Sequence, residues 1–403
     1  MSEDLGLLVP GSHRAAGLAD DHALVGAMLE VERAWVSALA TTQAVSSQDL
    51  ADVTSVIAGF RPDLAALAAE TEAAGNPVVP LVGALRVACD DERLARVVHR
   101  GLTSQDVLDT ALMLIARGAL DRVGSALALV AESLAALADE HRGAVMAGRT
   151  LTQYAVPVTF GLKAAQWLAG VLDAAHDLSV VRAGLPVQCG GAAGTLALAG
   201  EITEHPVAAA EAFAAELGLR WPGLPWHTRR GPVTRLGDAL VTVSDALGVI
   251  ATDVALLARP EFGEVRERPV PGRGGSSTMP HKQNPVLSVL VRSAALQAPM
   301  LGAQLHLASA QAVDERPDGA WHSEWPALRR LIQLTVTATS QSAELVAGLE
   351  VDTEVMRQRA DRAAADLLAE RGTPGDPAAY LGSSMAFVDV VLARMPSEGG
   401  RHG

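Results

Sequence analysis

The stretch Gly275-Ser276-Ser277-Thr278-Met279-Pro280-His281-Lys282-Gln283-Asn284-Pro285 gathers reactive side chains at short spacing. A flexible Gly-rich loop can deliver the Ser276 hydroxyl, Lys282 supplies a cation and Asn284 an amide donor. Pro285 is suited to start the next helix, where a missing N–H costs little. The plainer reading is a Gly/Ser linker that joins two helices. A second stretch, residues 99–110 (HRGLTSQDVLDT), opens a helix with hydroxyls at Thr103 and Ser104. A helix N-terminus is a good seat for a carboxylate. The same end would use Thr103 or Ser104 as its cap with Asp106 in the first turn, and both uses are compatible. A third stretch, residues 148–159 (GRTLTQYAVPVT), contains Arg149, Thr150 and Gln153. Arg149 is equally well read as a structural ion-pair partner. The Gly-rich turn 188–195 (QCGGAAGT) reads at least as readily as a tight connection between helices as a binding element.

Long helical patterns must position these pieces. Residues 23–43 repeat apolar side chains at three and four spacing, with Glu30, Glu32 and Arg33 between them. Segments near 105–141, 157–183, 232–258, 286–313 and 321–350 follow, each 25 residues or more. The mean globular helix is only about 11–12 residues long. The run near 125–138 (SALALVAESLAALA) is apolar almost all round, as in a helix with neighbours on most sides. Pro157, Pro232, Pro285 and Pro326 fall near expected helix starts. No alternating strand run is evident. Residues 269–277 are the most loop-like, 372–377 read as a turn or hinge, and 397–403 as a frayed tail.

Composition narrows the function classes. A chain of 403 residues suggests two or three domains, or one long bundle. With 49% apolar and 19% charged residues, wholesale disorder is excluded and much surface is expected to be hidden, as between subunits. A net charge of −14 argues against nucleic acid as a partner, yet leaves room for a cationic cleft that takes a small anion. Two cysteines give neither a zinc spacing nor a disulfide framework, which fits a reducing, cytoplasmic setting. The start shows no signal-peptide pattern. The apolar stretch 240–258 is interrupted by Asp245 and Asp253, and reads as a buried helix, not a membrane span.

Residues 275–285 resemble the GSSxMPxKxNP signature of the fumarase/aspartase superfamily, a run far more specific than a lone Gly-rich loop. Residues 99–110 resemble its HxGxTSxDxxDT stretch, and residues 148–159 its GRTxxQxAxPxT loop. The resemblance covers most of residues 20–345. It implies an all-α fold: an N-terminal helical domain (1–102), a central long-helix bundle (103–349) and a short C-terminal helical domain (350–403). It also implies a homotetramer whose sites take loops from three subunits. Ser276 is then the base, and Lys282 and Asn284 hold the carboxylate as the aci-carboxylate forms beside fixed positive charge. His99, Thr103, Ser104, Arg149, Thr150, Gln153, His281 and Arg316 are the implied substrate contacts. No metal or organic cofactor is implied.

One position selects a branch. Adenylosuccinate lyases and fumarases carry a proton-donating His directly after GRT, where this chain has Leu151. Hydroxide, the anion of a very weak acid, needs a proton to leave. The carboxylate of an opening lactone, from an acid with pKa about 4, does not. That feature, with PWHTR at 225–229 and the pieces Glu315-Arg316 and 321–325 (WHSEW), resembles bacterial 3-carboxy-cis,cis-muconate cycloisomerases. The implied substrate is a tricarboxylate, with His99, Arg149, Arg229, Arg230, Lys282 and Arg316 as candidate cations. Trp226 and Trp321 are equally pocket walls or core. That branch usually has Trp at position 151 and His at 154, where Leu and Tyr stand here. The alternatives are an amine-expelling lyase of the adenylosuccinate type and a non-catalytic relative of the same fold.

Overall fold

The computed structural model describes residues 6–396, so the expected frayed tail lies outside the described residues. Helices dominate. In chain order they are α1 (Asp21–Thr41), α2 (Ser47–Gly59), α3 (Leu64–Ala74), α4 (Val78–Ala88), α5 (Glu92–Val97), α6 (Ser104–Glu140), α7 (Phe160–Ala183), α8 (Ala197–Ile202), α9 (Pro206–Leu217), α10 (Gly231–Leu257), α11 (Val286–Ala310), α12 (Gly319–Ala347), α13 (Thr353–Arg362), α14 (Ala364–Leu367) and α15 (Ser384–Leu392). The all-α expectation holds, and the five long segments fall on α6, α7, α10, α11 and α12.

Two short antiparallel pairs interrupt the helices: β1 (Val145–Thr150) with β2 (Gln153–Thr159), and β3 (Val265–Glu267) with β4 (Leu349–Val351). The first corrects the sequence reading, which placed a helix start at Pro157 and saw no strand. Pro157 instead pairs with Ala147 inside the hairpin. The α7 helix begins at Phe160, where Thr159 Oγ1 accepts the Leu162 N–H at 3.1 Å. The register slips between Ala147 and Arg149, so the bulge is on β2, where Ala155 and Val156 lie opposite the single residue Gly148. A Cβ on Gly148 would lie 2.3 Å from the Val156 carbonyl oxygen, so only glycine fits. Pro326 is also displaced from its expected place, lying inside α12 because that helix starts earlier.

The chain forms two compact units. Unit 1 comprises residues 6–121, 179–238 and 300–334; unit 2 comprises 122–178, 239–299 and 335–396. In unit 1, α1 packs on α9, with Trp35 and Phe213 edge to face at 5.7 Å. Asp20 caps α1 by accepting the Ala23 N–H. In unit 2 the hairpin rests on the C-terminal helices, where Val145 and Ala147 join Ala360, Ala363 and Leu367 in one apolar cluster. Both cysteines are buried, and burial pushes both thiols up, as inert core residues.

Not every apolar residue is inside. On α11, Val289, Leu296, Met300 and Leu307 are all more than half exposed. Their spacing puts them on one helix face. Leu129 of α6 and Val249 of α10 are exposed to a similar degree. Helices α10 and α11 are long and apolar enough to cross a membrane by length and composition alone. Half of the most apolar window of α10 is nevertheless buried, and Asp253 there pairs with Lys163 of α7 at 3.1 Å.

Candidate active site

Unit 2 carries the signature loop. Gly274 and Asn284 close its base: the Asn284 backbone N–H and side-chain amide both donate to the Gly274 carbonyl, at 2.8 and 2.9 Å. Gly274 has φ +76° and no room for a Cβ, which would lie 2.5 Å from the Asn284 oxygen. Within this frame the Ser276 Oγ accepts the backbone N–H groups of Thr278 and Met279, at 3.3 and 3.1 Å. Two N–H dipoles aimed at one hydroxyl oxygen favour its ionised form. Lys282 and His281 are exposed, while Asn284 is half-buried with one amide hydrogen already committed within the loop. The same unit holds the hairpin. Thr150 and Gln153 face each other across its end, with Leu151 and Thr152 as the two turn residues, at φ +48° and +72°. That is the handedness of a tight hairpin turn, normally given to Asn-Gly. Leu151 is 96% exposed. Arg149 points away from this tip. Its guanidinium pairs with the fully buried Glu264 at 3.0 Å and lies over Phe262, which favours its structural reading.

Unit 1 carries the other implied contacts. Thr103 precedes α6, and its backbone N–H donates to Asp106 Oδ2 at 3.0 Å, so the Asp106 half of the capping arrangement is present. Asp106 also accepts the N–H groups of Gly190 and Gly191, at 2.9 and 2.8 Å, and a ring nitrogen of His227 at 2.8 Å. This buried carboxylate therefore ties the Gly-rich turn to the start of α6. Arg316 completes the arrangement by donating to Thr103 Oγ1 and to the Ala192 carbonyl. Ser104 is half-buried at the first position of α6. His99 lies just upstream, with Nδ1 2.7 Å from Glu32 of α1.

Behind these residues sits an ion network that the sequence reading missed. Arg230 lies between Asp109, at 2.6 and 3.0 Å, and Glu324, with a closest approach of 2.6 Å, and is 2% exposed. Trp321 and Gln188 also donate to Asp109. Burial lowers the Arg230 pKa, and Asp109 and Glu324 more than offset that, so it is raised overall. Burial raises the Glu324 carboxyl against the opposing pull of Arg230. Arg230 is thus no substrate cation, and Trp226 and Trp321, both buried, are core. The available signal was the pair Asp106 and Asp109, two acids one helical turn apart in an otherwise apolar run.

With these loops carried on long helices, the chain belongs to the fumarase/aspartase superfamily. Residues 19–299 match the family described as Lyase. Among its relatives is a nitrosuccinate lyase from Streptomyces davaonensis, 46% identical over 378 residues, covering 91% of this chain and 79% of that protein. A 3-carboxy-cis,cis-muconate cycloisomerase from Bradyrhizobium diazoefficiens is 40% identical over 372 residues, covering 91% of this chain and 82% of that protein. The crystal structure of 3-carboxy-cis,cis-muconate lactonizing enzyme from Pseudomonas putida superposes with a TM-score of 0.86 at 32% identity, covering 98% of this chain and 99% of that one.

Proposed function

We propose that this lyase removes a proton beside a carboxylate and expels a weakly basic anion from the neighbouring carbon. The observation that carries the reading is Leu151. It stands at the tip of the GRT hairpin and has no proton to give, which fits a leaving group that departs unaided. Nitrite from nitrosuccinate meets that condition, being the anion of an acid about as strong as a carboxylic acid. Ser276 takes the proton from the CH₂ carbon, the electrons form the C=C bond, and the C–N bond breaks with its pair leaving on nitrite. The product is an unsaturated dicarboxylate, and Lys282 meets the charge that builds on the carboxylate during the step. Greater identity to the nitrosuccinate lyase, over the same share of the chain, supports this substrate. So do Leu151 and Tyr154, which replace the larger Trp and the His usual in the cycloisomerase branch.

A second substrate is supported by the cycloisomerase relatives and by the similarity to the lactonizing enzyme. Here Ser276 takes the proton, and the ring C–O bond of 4-carboxymuconolactone breaks to give 3-carboxy-cis,cis-muconate. In the other direction a carboxylate oxygen adds and Ser276 returns the proton. Parallel assays separate the two: nitrite release from nitrosuccinate, and loss of diene absorbance from 3-carboxymuconate. Turnover of neither sinks the proposal. Leu151→His is expected to leave turnover unchanged or lower on the active substrate. A gain of roughly 100-fold, the scale of general acid catalysis, would mean that the leaving group does need a proton.

The exposed apolar face of α11, with Leu129 and Val249, supports assembly into a homotetramer through the bundle helices. Purified protein is expected to sediment as a tetramer and to lose activity on dilution before it loses helicity. A fully active monomer would refute both the assembly and the sharing of sites between subunits.

A further inference from the structure

Glu32 is a charged residue in the wrong place for a structural one. It falls on the buried stripe of α1, between Met28 and Trp35, and is 1% exposed. Among the described residues its one side-chain hydrogen bond is that accepted by Oε1 from His99 Nδ1 at 2.7 Å, and the buried Oε2 has no partner. A buried carboxylate oxygen left without a donor is costly, and proteins seldom keep one without a use for it. His99 is itself held under strain. Its φ is +62°, a left-handed conformation that few side chains adopt. The carbonyls on both sides of it are clamped: Arg86 donates to the Val98 carbonyl at 3.0 Å, and the Trp35 indole to the Arg100 carbonyl at 2.8 Å. The ring nitrogen facing away from Glu32, Nε2, has no partner among the described residues. A strained backbone, a dedicated buried carboxylate and one open imidazole nitrogen therefore meet four residues before Thr103.

We infer that Glu32 is the positioning residue for His99, and that the pair presents Nε2 to a non-reacting carboxylate of the substrate. With Nδ1–H given to Glu32, the tautomer and the ring plane are fixed. A second proton on Nε2 makes an imidazolium that donates to the substrate carboxylate, with its charge balanced by Glu32. The inference rests on the proposed function for its ligand class, since it requires a polycarboxylate at the end of α6.

The test uses binding, not turnover, and takes succinate as the probe because it has the carboxylates but no leaving group. Titration calorimetry is run on the full-length protein as wild type, Glu32→Met, Glu32→Gln, His99→Asn and the double variant Glu32→Met with His99→Asn, with circular dichroism to confirm folding. Asparagine tolerates the left-handed backbone at position 99. Glu32→Met is expected to weaken succinate binding about 10-fold, the scale of losing a residue that orients a ligand-contacting His. Glu32→Gln, which keeps an acceptor, recovers part of that loss, and is read in the same cycle in place of Met should Met not fold. His99→Asn weakens binding at least as much, and the double variant is no worse than His99→Asn alone. Equal binding by wild type and the Glu32 variants overturns the inference. So does an undiminished Glu32 effect in the His99→Asn background, which would make Glu32 merely structural. Failure of wild type to bind succinate overturns the inference together with the function beneath it.

Discussion

Ser276→Ala is expected to lower turnover by about 10²–10⁴-fold, the usual contribution of a positioned acid or base, while helicity and assembly stay as in the wild type. The loop buries no core side chain at this position, so the fold has little reason to respond. What disappears is the oxygen on which the Thr278 and Met279 N–H groups converge. Substrate binding should largely survive, because Lys282 and Asn284 remain. Ser277→Ala is the control: it removes the same hydroxyl one residue along, where neither of those N–H groups is aimed, and its loss should be smaller. The measurement is single-turnover kinetics of both variants on whichever substrate proves active. Retention of more than about a tenth of wild-type turnover by Ser276→Ala, or a worse Ser277→Ala, places the base elsewhere.

Arg230→Met should cost about 3–5 kcal/mol of stability, the scale of removing one partner from a buried ion pair. The substitution preserves bulk and removes the charge that Asp109 and Glu324 share. Two carboxylates are then left facing each other in the interior, with Trp321, Gln105 and Gln188 still donating to Asp109 but nothing cationic between them. The pH dependence has a definite sign. Glu324 is already raised by burial, and without Arg230 it is raised further. A carboxyl raised in the folded state binds more protons folded than unfolded, so folding stability falls as pH rises through its range. The deficit against wild type should therefore be smaller near pH 5 than near pH 8. Adding Glu324→Gln should recover part of it. Urea unfolding at both pH values tests this, and a deficit under about 1 kcal/mol, the range of an exposed pair, would show that the network contributes little.

The helices were legible because their apolar periodicity runs far beyond ordinary length, so the scaffold follows from pattern alone. The signature loop was legible because a mere linker seldom brings a Ser, a Lys and an Asn together at this spacing. Three things were not. The hairpin at 145–159 hid because Leu151-Thr152 lacks the glycine or asparagine expected of its turn, and because Pro157 resembles a helix start. Arg230 looked like a substrate cation because charge is visible in a sequence and burial is not; its partners lie roughly a hundred residues away in both directions. Glu32 looked like part of a polar face beside Glu30 and Arg33, although its spacing from Met28 and Trp35 puts it on the core stripe.

The hairpin tip has a consequence for descent. Leu151 protrudes at the end of a ribbon whose strands are anchored elsewhere, by the β2 bulge opposite Gly148 and the apolar cluster beneath β1. Exchanging it disturbs no packing within the chain, so lineages can sample His, Trp or Leu at this point while the scaffold stays the same. Divergence among these enzymes then needs few simultaneous mutations. A saturation library at 151 and 154 should yield mostly folded members, with the functional differences among them concentrated in what each can expel.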